Sequence, residues 1–194
     1  MKNFLYKGDI HIHPNFLSDD IYKDVLKKLN KLKWNETYQP NGGVFTKNNS
    51  SSYGNRYQAC PTYEYLFKYH QNYIQEKFEK LLGEKIIEYK CIARKIITEE
   101  LKKSQCKGRY GFIHRDIEDK YLNAPVFASV MYFDQSFDGG TVFFENRWEQ
   151  TPDINISAYP NRLILYYGGR WHAPAFDHTY KERKTLSFFL RLAN

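Results

Sequence analysis

Three side chains in the C-terminal half have the types and spacing to hold a metal ion: His114 and Asp116, two positions apart, and His172 well downstream. Read as the end of a strand, this His-x-Asp places both side chains on one face, because residues i and i+2 of a strand point the same way. His172, following a later apolar run, would arrive from a neighbouring strand. Two imidazoles and one carboxylate on one face of an octahedron suit non-haem Fe(II) and leave the opposite positions open. A keto acid can chelate at two of those positions and oxygen can bind at the third. Alone, His-x-Asp is too short a pattern to carry much weight.

Arg183 adds to it, with Thr185 two residues on in the final apolar strand. An arginine entering an aromatic-rich barrel needs an anionic partner, since an unpaired buried charge is costly. Its planar guanidinium suits the far carboxylate of a dicarboxylate, gripped bidentately, and the Thr185 hydroxyl points to the same face.

The elements that must position these groups are strands. From Lys85 onward β-branched and aromatic residues dominate, in the runs 86–90, 112–113, 126–132, 141–144, 162–167 and 185–190. Asp138-Gly139-Gly140 and Gly168-Gly169 supply turn signals between them. This pattern predicts many short antiparallel strands forming a barrel or sandwich. Upstream, Ile10-His11-Ile12-His13 reads as a strand closed by Pro14. Ser18-Asp19-Asp20 then caps a helix with Tyr22, Val25, Leu26, Leu29 and Leu32 at helical spacing. A second helix is predicted from a Thr62 cap to about Leu82, with Leu66, Tyr69, Tyr73, Phe78 and Leu81 on one side and Gly83 as its stop. Residues 35–61 are rich in Asn, Gly, Ser and Tyr without a sustained period, as in a lid, a binding loop or a disordered insertion.

Bulk properties set the frame. A chain of 194 residues fits one domain, burying roughly 70% of the surface its unfolded form exposes. We therefore expect a single unit, with a helical and loop part over about 1–84 and a β core over about 85–194. The net charge of +7 draws much of its excess from Lys27, Lys28, Lys31 and Lys33, which read as the solvated face of the first helix. Three cysteines, Cys60, Cys91 and Cys106, show no CxxC spacing, so neither a disulfide framework nor a zinc site is suggested. No apolar run nears the roughly 18 residues that span a bilayer, and no signal-peptide core follows Met1. The expectation is a soluble cytoplasmic protein with no membrane partner. No nucleophile elbow, P-loop or dinucleotide fingerprint occurs.

Several stretches together carry a family likeness. They are Gly108 through Asp116, Val130-Met131-Tyr132-Phe133-Asp134, Asp138 through Phe144, Pro160 through Tyr166, His172-Ala173-Pro174 and Arg183 through Phe189. In this order they resemble the prolyl-hydroxylase-like branch of the Fe(II)/2-oxoglutarate-dependent dioxygenases, over roughly residues 85–194. The resemblance implies an α+β, mainly β chain with a double-stranded β-helix core (jelly roll, cupin-like) backed by N-terminal helices. It implies Fe(II) held by His114, Asp116 and His172, and 2-oxoglutarate held through its C5 carboxylate by Arg183, Thr185 and Tyr132. O2 would be the oxidant, with succinate and CO2 released as a substrate is hydroxylated. Many prolyl hydroxylases carry Lys rather than Arg at the anchor, which loosens the tie to a prolyl substrate. Asp116 is present, whereas related halogenases have Gly or Ala there, so hydroxylation, or demethylation through it, is the implied outcome.

The substrate class is a peptide side chain, a free amino acid or a small metabolite. Nucleic acid is disfavoured, because the branch that demethylates it carries a second arginine six residues past the anchor, where this chain has Phe189. Specificity in such barrels comes from loops, here 35–61 and 117–125, which makes Arg56, Tyr57, Tyr121 and Trp171 the candidate substrate contacts. Trp148 could also line a pocket or pack at the rim. His11 and His13 lack a nearby carboxylate and read as a strand pair, His70 as structural and His178 as solvated. A competing reading is a non-catalytic jelly-roll binding module that has kept its metal site.

Overall fold

The computed structural model describes residues 9–31, 57–61, 66–67, 69–97, 113–117, 125–149, 151–175 and 182–193. Arg56, Thr62, Cys106, Tyr121 and His178, and with them most of the segments 35–61 and 117–125, lie outside the described residues.

Among the described residues, nine strands and two helices occur in the order β1 (Ile10–His13), α1 (Asp19–Asn30), β2 (Tyr57–Pro61), α2 (Gln71–Leu82), β3 (Ile86–Ile97), β4 (Val126–Tyr132), β5 (Ser136–Phe144), β6 (Ile154–Ala158), β7 (Leu163–Tyr167), β8 (Trp171–Ala175) and β9 (Glu182–Leu192). They form a six-stranded sheet in the order β1-β7-β4-β9-β3-β2 and a three-stranded sheet in the order β6-β5-β8. All strand pairings are antiparallel. Non-sequential neighbours such as β4 beside both β7 and β9 mean that residues far apart in the chain share one surface.

Alternation along the strands divides the core. One face of the large sheet presents Phe127, Met131, Leu163, Leu165, Leu186, Phe188 and Leu190 to the helices, where they pack with Val25, Leu29, Ile74, Phe78 and Leu82. The other face sends Ala128, Val130, Tyr132, Ile164 and Tyr166 against Phe143, Ile156 and Ala158 of the small sheet. The two sheets therefore pack face to face, and the interior between them is where the candidate residues lie.

α1 forms where its spacing predicts, with Val25 and Leu29 buried and Asp19 and Asp20 in the first turn. Ser18 has the extended backbone of a cap (φ −62°, ψ 154°) but makes no side-chain capping bond. Its carbonyl accepts from Tyr22 N at 2.8 Å. Among the lysines, Lys27 is exposed, while Lys28 lies against Asp24 at 2.6 Å. The second helix departs from its expected course. Leu66 and Phe67 are helical, but a turn at Tyr69-His70 intervenes and α2 starts at Gln71. The break shifts the helical phase, so Ile74, Phe78 and Leu82 form the buried stripe and Tyr69 is 77% exposed. His70 closes the break by pairing with Asp24 at 3.2 Å. Gly83 ends α2 in the left-handed region (φ 71°), its N–H donating to the Glu79 carbonyl at 2.8 Å.

Four further differences concern strands. Asp138-Gly139-Gly140 lies inside β5, where the pairing with β6 shifts register between Ser136 and Gly140. Gly140 has φ +154°, and a Cβ there would meet Ile156 O at 1.9 Å. The glycines serve a bulge rather than a turn. β6 and β8, unexpected from composition, are the two edges of the small sheet. An edge tolerates Asn in β6 and Pro174 in β8, since one side of the strand needs no ladder bond. β2 emerges at the end of the loop-like 35–61 stretch, as the edge strand of the large sheet. Finally, Ile113-His114 is not a strand: His114 makes one isolated antiparallel bridge to His172.

No helix among the described residues is long and apolar enough to cross a membrane. Cys91 is a buried free thiol, its pKa pushed well up by burial.

Candidate metal centre

His114, Asp116 and His172 converge: their ligand atoms all lie within 4.8 Å of one another. Strand alternation alone predicts this convergence, but the structure achieves it otherwise. The segment 113–117 is pinned by backbone bonds. His114 N donates to His172 O at 2.9 Å, His172 N returns to His114 O at 3.0 Å, and Asp116 N donates to Gly168 O at 2.9 Å. Gly168 N in turn donates to Val126 O at 2.9 Å. A side chain at 168 would meet Ile117 Cγ2 at 3.1 Å and Val126 O at 3.2 Å, so the Gly168-Gly169 turn is what lets the His-x-Asp segment approach this closely.

The side chains sit at the mouth of the interior. Asp116 and His172 are 7% and 6% exposed, and His114 is 28% exposed. Asp116 Oδ2 is 3.3 Å from His172 Nε2, and Oδ1 is 3.8 Å from His114 Nε2. His172 Nδ1 lies 2.9 Å from the Arg170 carbonyl. A carbonyl only accepts, so Nδ1 carries a hydrogen, and Nε2 is the nitrogen turned toward Asp116. Imidazole nitrogens and a carboxylate at this spacing fit a first-row divalent metal.

Deeper in, Arg183 is 9% exposed and Thr185 is 3% exposed. The Arg183 guanidinium donates through Nη1 to the carbonyls of Gly140 (2.7 Å) and Ala175 (2.8 Å). It lies 5.6 Å from the ring of Tyr132. Thr185 is opposite Tyr132 across the β4–β9 ladder. The Tyr132 hydroxyl is bonded to Thr141 Oγ1 at 2.6 Å, and burial raises its pKa although the Arg183 charge opposes this. Arg183, Thr185 and Tyr132 thus form one polar cluster around a fixed cation, in the same interior as the His/Asp/His group.

Of the proposed substrate contacts, Trp171 precedes His172 in β8, is partly exposed and is covered by Arg115, whose guanidinium is 4.3 Å from its ring. Tyr57 opens β2, opposite Ile96 of β3. Trp148 stands 76% exposed with Arg147 at 3.9 Å over its ring, outside any interior. His11 and His13 are half-buried in β1 with ring centroids 6.2 Å apart, and no carboxylate joins them in the His/Asp/His group.

Two further residues face the interior without a motif in the sequence to mark them. Tyr166, on β7, places its hydroxyl 3.2 Å from both Asp116 Oδ2 and His172 Nε2. Burial, then the Asp116 charge, holds its pKa well above the usual phenol range. Arg94, on β3 opposite Thr185, carries a second guanidinium, 5.7 Å from the Phe189 ring. Alternation within Leu163–Tyr167 separates Tyr166 from Tyr167, but only the strand partners reveal which of the two faces the interior.

Solved structures share this architecture. A prolyl hydroxylase from Trichoplax adhaerens, in complex with a hypoxia inducible factor oxygen degradation domain peptide fragment, superposes with a TM-score of 0.64 at 15% identity, covering 94% of this chain and 83% of that one. A Pseudomonas putida prolyl-4-hydroxylase gives 0.58 at 12% identity, covering 94% and 92%. HygX from Streptomyces hygroscopicus, with nickel, 2-oxoglutarate and hygromycin B bound, gives 0.62 at 8% identity, covering 95% and 83%. The fold is that of these proteins. No family model and no curated protein sequence matches the chain.

Proposed function

We propose that the chain is an Fe(II)- and 2-oxoglutarate-dependent dioxygenase that hydroxylates a peptide side chain, a free amino acid or a small metabolite. One observation carries this reading: a His/Asp/His group and a buried arginine cluster occupy the same interior of a fold shared with prolyl hydroxylases and with a 2-oxoglutarate-bound protein. In this reading the two sheets are a double-stranded β-helix, and the chain is one domain with its helices backing that core.

His114, Asp116 and His172 would hold the iron, His172 oriented by its bond to the Arg170 carbonyl. When bound, the iron supplies the redox chemistry by which O2 oxidises 2-oxoglutarate to succinate and CO2 and leaves one oxygen atom on the substrate. The protein's own part is positioning. Arg183 meets the C5 carboxylate with a guanidinium already held by two carbonyls, so little side-chain freedom is lost on binding. Thr185 and Tyr132 bring hydroxyls to the same carboxylate.

The solved neighbours hold a peptide in one case and hygromycin B in another, which supports both peptide and small-molecule substrates. Trp171, beside His172 and partly exposed, would touch a substrate at the mouth, with Tyr57, Arg56 and Tyr121 as further contacts.

The deciding experiment follows succinate formation from 2-oxoglutarate by anaerobically iron-loaded protein on admission of oxygen, in wild type, His114→Ala and Arg183→Ala. Turnover lost in the first variant, and restored in the second only by raised 2-oxoglutarate, establishes the reading. A wild type that binds metal and 2-oxoglutarate under nitrogen yet never forms succinate, whatever substrate is offered, would instead be a binding module.

A further inference from the structure

Tyr166 has no part in the roles assigned above, yet its hydroxyl lies at the centre of them. The residue is 1% exposed. Its ring stands edge-on to Phe143, with centroids 5.0 Å apart and planes at 77°, and is 4.9 Å from the ring of His172. Packing on both sides leaves the hydroxyl one place to go, between Asp116 Oδ2 and His172 Nε2, 3.2 Å from each.

A phenol has a single proton to donate. The Asp116 oxygen accepts it, and His172 Nε2 is a second acceptor when the imidazole is neutral, with its one hydrogen on Nδ1 toward the Arg170 carbonyl. Without metal, the two compete for that proton. A metal ion held by His114, Asp116 and His172 would occupy the Nε2 lone pair and leave Asp116 as the acceptor. The proton then belongs to Asp116.

Resting on the metal reading above, we propose that Tyr166 is a positioning residue of the metal centre, donating from its hydroxyl to Asp116 Oδ2 so that the carboxylate meets the metal through Oδ1. Oδ1 is the oxygen on the His114 side, 3.8 Å from His114 Nε2. A bond of this kind fixes the orientation of a ligating carboxylate and tunes its donor strength. Phenylalanine would fill the same space against Phe143. The hydroxyl is therefore the part of the side chain that packing does not require, and burying it is favourable only while it is bonded.

Tyr166→Phe tests this, with Tyr167→Phe as the control: Tyr167 is the next residue of the same strand and packs on the helix-facing side against Phe127. Cobalt(II) serves as the probe, read by its dissociation constant and visible d–d spectrum without cosubstrate or turnover. Tyr166→Phe is expected to bind about tenfold or more weakly, with displaced bands, while Tyr167→Phe superimposes on wild type. Equal affinity and identical spectra in all three proteins overturn the proposal. So does a phenolate-to-iron charge-transfer band in the ferric wild type that Tyr166→Phe lacks, because Tyr166 would then be a ligand itself. A wild type that takes up no cobalt fails the metal reading instead, and is recognisable because all three proteins stay silent. Should Tyr166→Phe lose its fold by circular dichroism, proton NMR of the cobalt wild type decides. A hyperfine-shifted, exchangeable Tyr166 phenol proton supports the proposal, and its absence overturns it.

Discussion

Strand β9 runs through the middle of the molecule and its two faces have opposite characters. Leu186, Phe188, Leu190 and Leu192 point to the helices and join the larger apolar cluster. Arg183, Thr185 and Ser187 point the other way and are just as buried. One face gains from removing hydrocarbon from water, about 1.5–3 kcal/mol for each large side chain. The other holds groups whose burial is unfavourable unless they are bonded. Arg183 meets that condition through the Gly140 and Ala175 carbonyls of the opposing sheet. The interior face thus holds a buried cation between two carbonyls, and the helix face supports the strand that carries it.

Substitutions on the two faces should separate in kind as well as in size. Asp116→Ala or His172→Ala is expected to abolish metal uptake and 2-oxoglutarate turnover while leaving the melting transition nearly intact, measured by calorimetric metal titration alongside thermal unfolding. Phe188→Ala, on the helix face of β9, should cost about 3–5 kcal/mol of stability in a denaturant titration, with turnover per folded molecule unchanged. A large fall in turnover of the folded fraction would break the division between faces.

Arg183→Ala should raise the 2-oxoglutarate dissociation constant about 30-fold or more, the equivalent of losing about 2 kcal/mol or more from a buried charge contact. Arg183→Lys should fall between, since it keeps the charge but not the fork. Gly140→Ala should destabilise by about 1–3 kcal/mol, because the new Cβ meets the Ile156 carbonyl. It should also weaken 2-oxoglutarate binding by displacing the carbonyl that holds Arg183, an effect outside the interior face that tests how far that face depends on the bulge.

The smallest effect belongs to the helix surface. Lys28 holds the Asp24 carboxyl below its usual pKa, with His70 assisting. A depressed carboxyl stabilises the fold above its unfolded pKa, and that contribution is lost as pH falls through the folded value. Lys28→Ala should therefore cost under about 1 kcal/mol at neutral pH, given that Asp24 is partly exposed. In acid denaturation profiles the difference from wild type should begin to shrink below the ordinary Asp pKa, about 3.9, and vanish once the pH is below the depressed folded value.

Helix α1 and strands β4, β7 and β9 were legible as periodic or continuous apolar runs, since each buries at least one side, and the short β1 was legible by its alternation and Pro14 stop although none of its residues is fully buried. β6 and β8 were not, because as sheet edges they tolerate the Asn and Pro that ordinarily signal a break. The Asp138-Gly139-Gly140 stretch read as a turn because composition cannot tell a turn from a bulge. His114 and Asp116 were readable as ligand types at close spacing, and Arg183 with Thr185 as a polar pair on one face of an apolar strand.

What the sequence determined by itself was chemistry and periodicity: which side chains can ligate, which runs are strands, and that Arg183 and Thr185 share a face. The tertiary structure decided which strands become neighbours. Pairing of β7 with β1 and β4 turns Tyr166 inward, the His114–His172 bridge aligns a segment that is not a strand, and β3 brings Arg94 opposite Thr185. Alternation sets only the parity of side chains along one strand, whereas the identity of the facing groups depends on contacts between residues far apart in the chain.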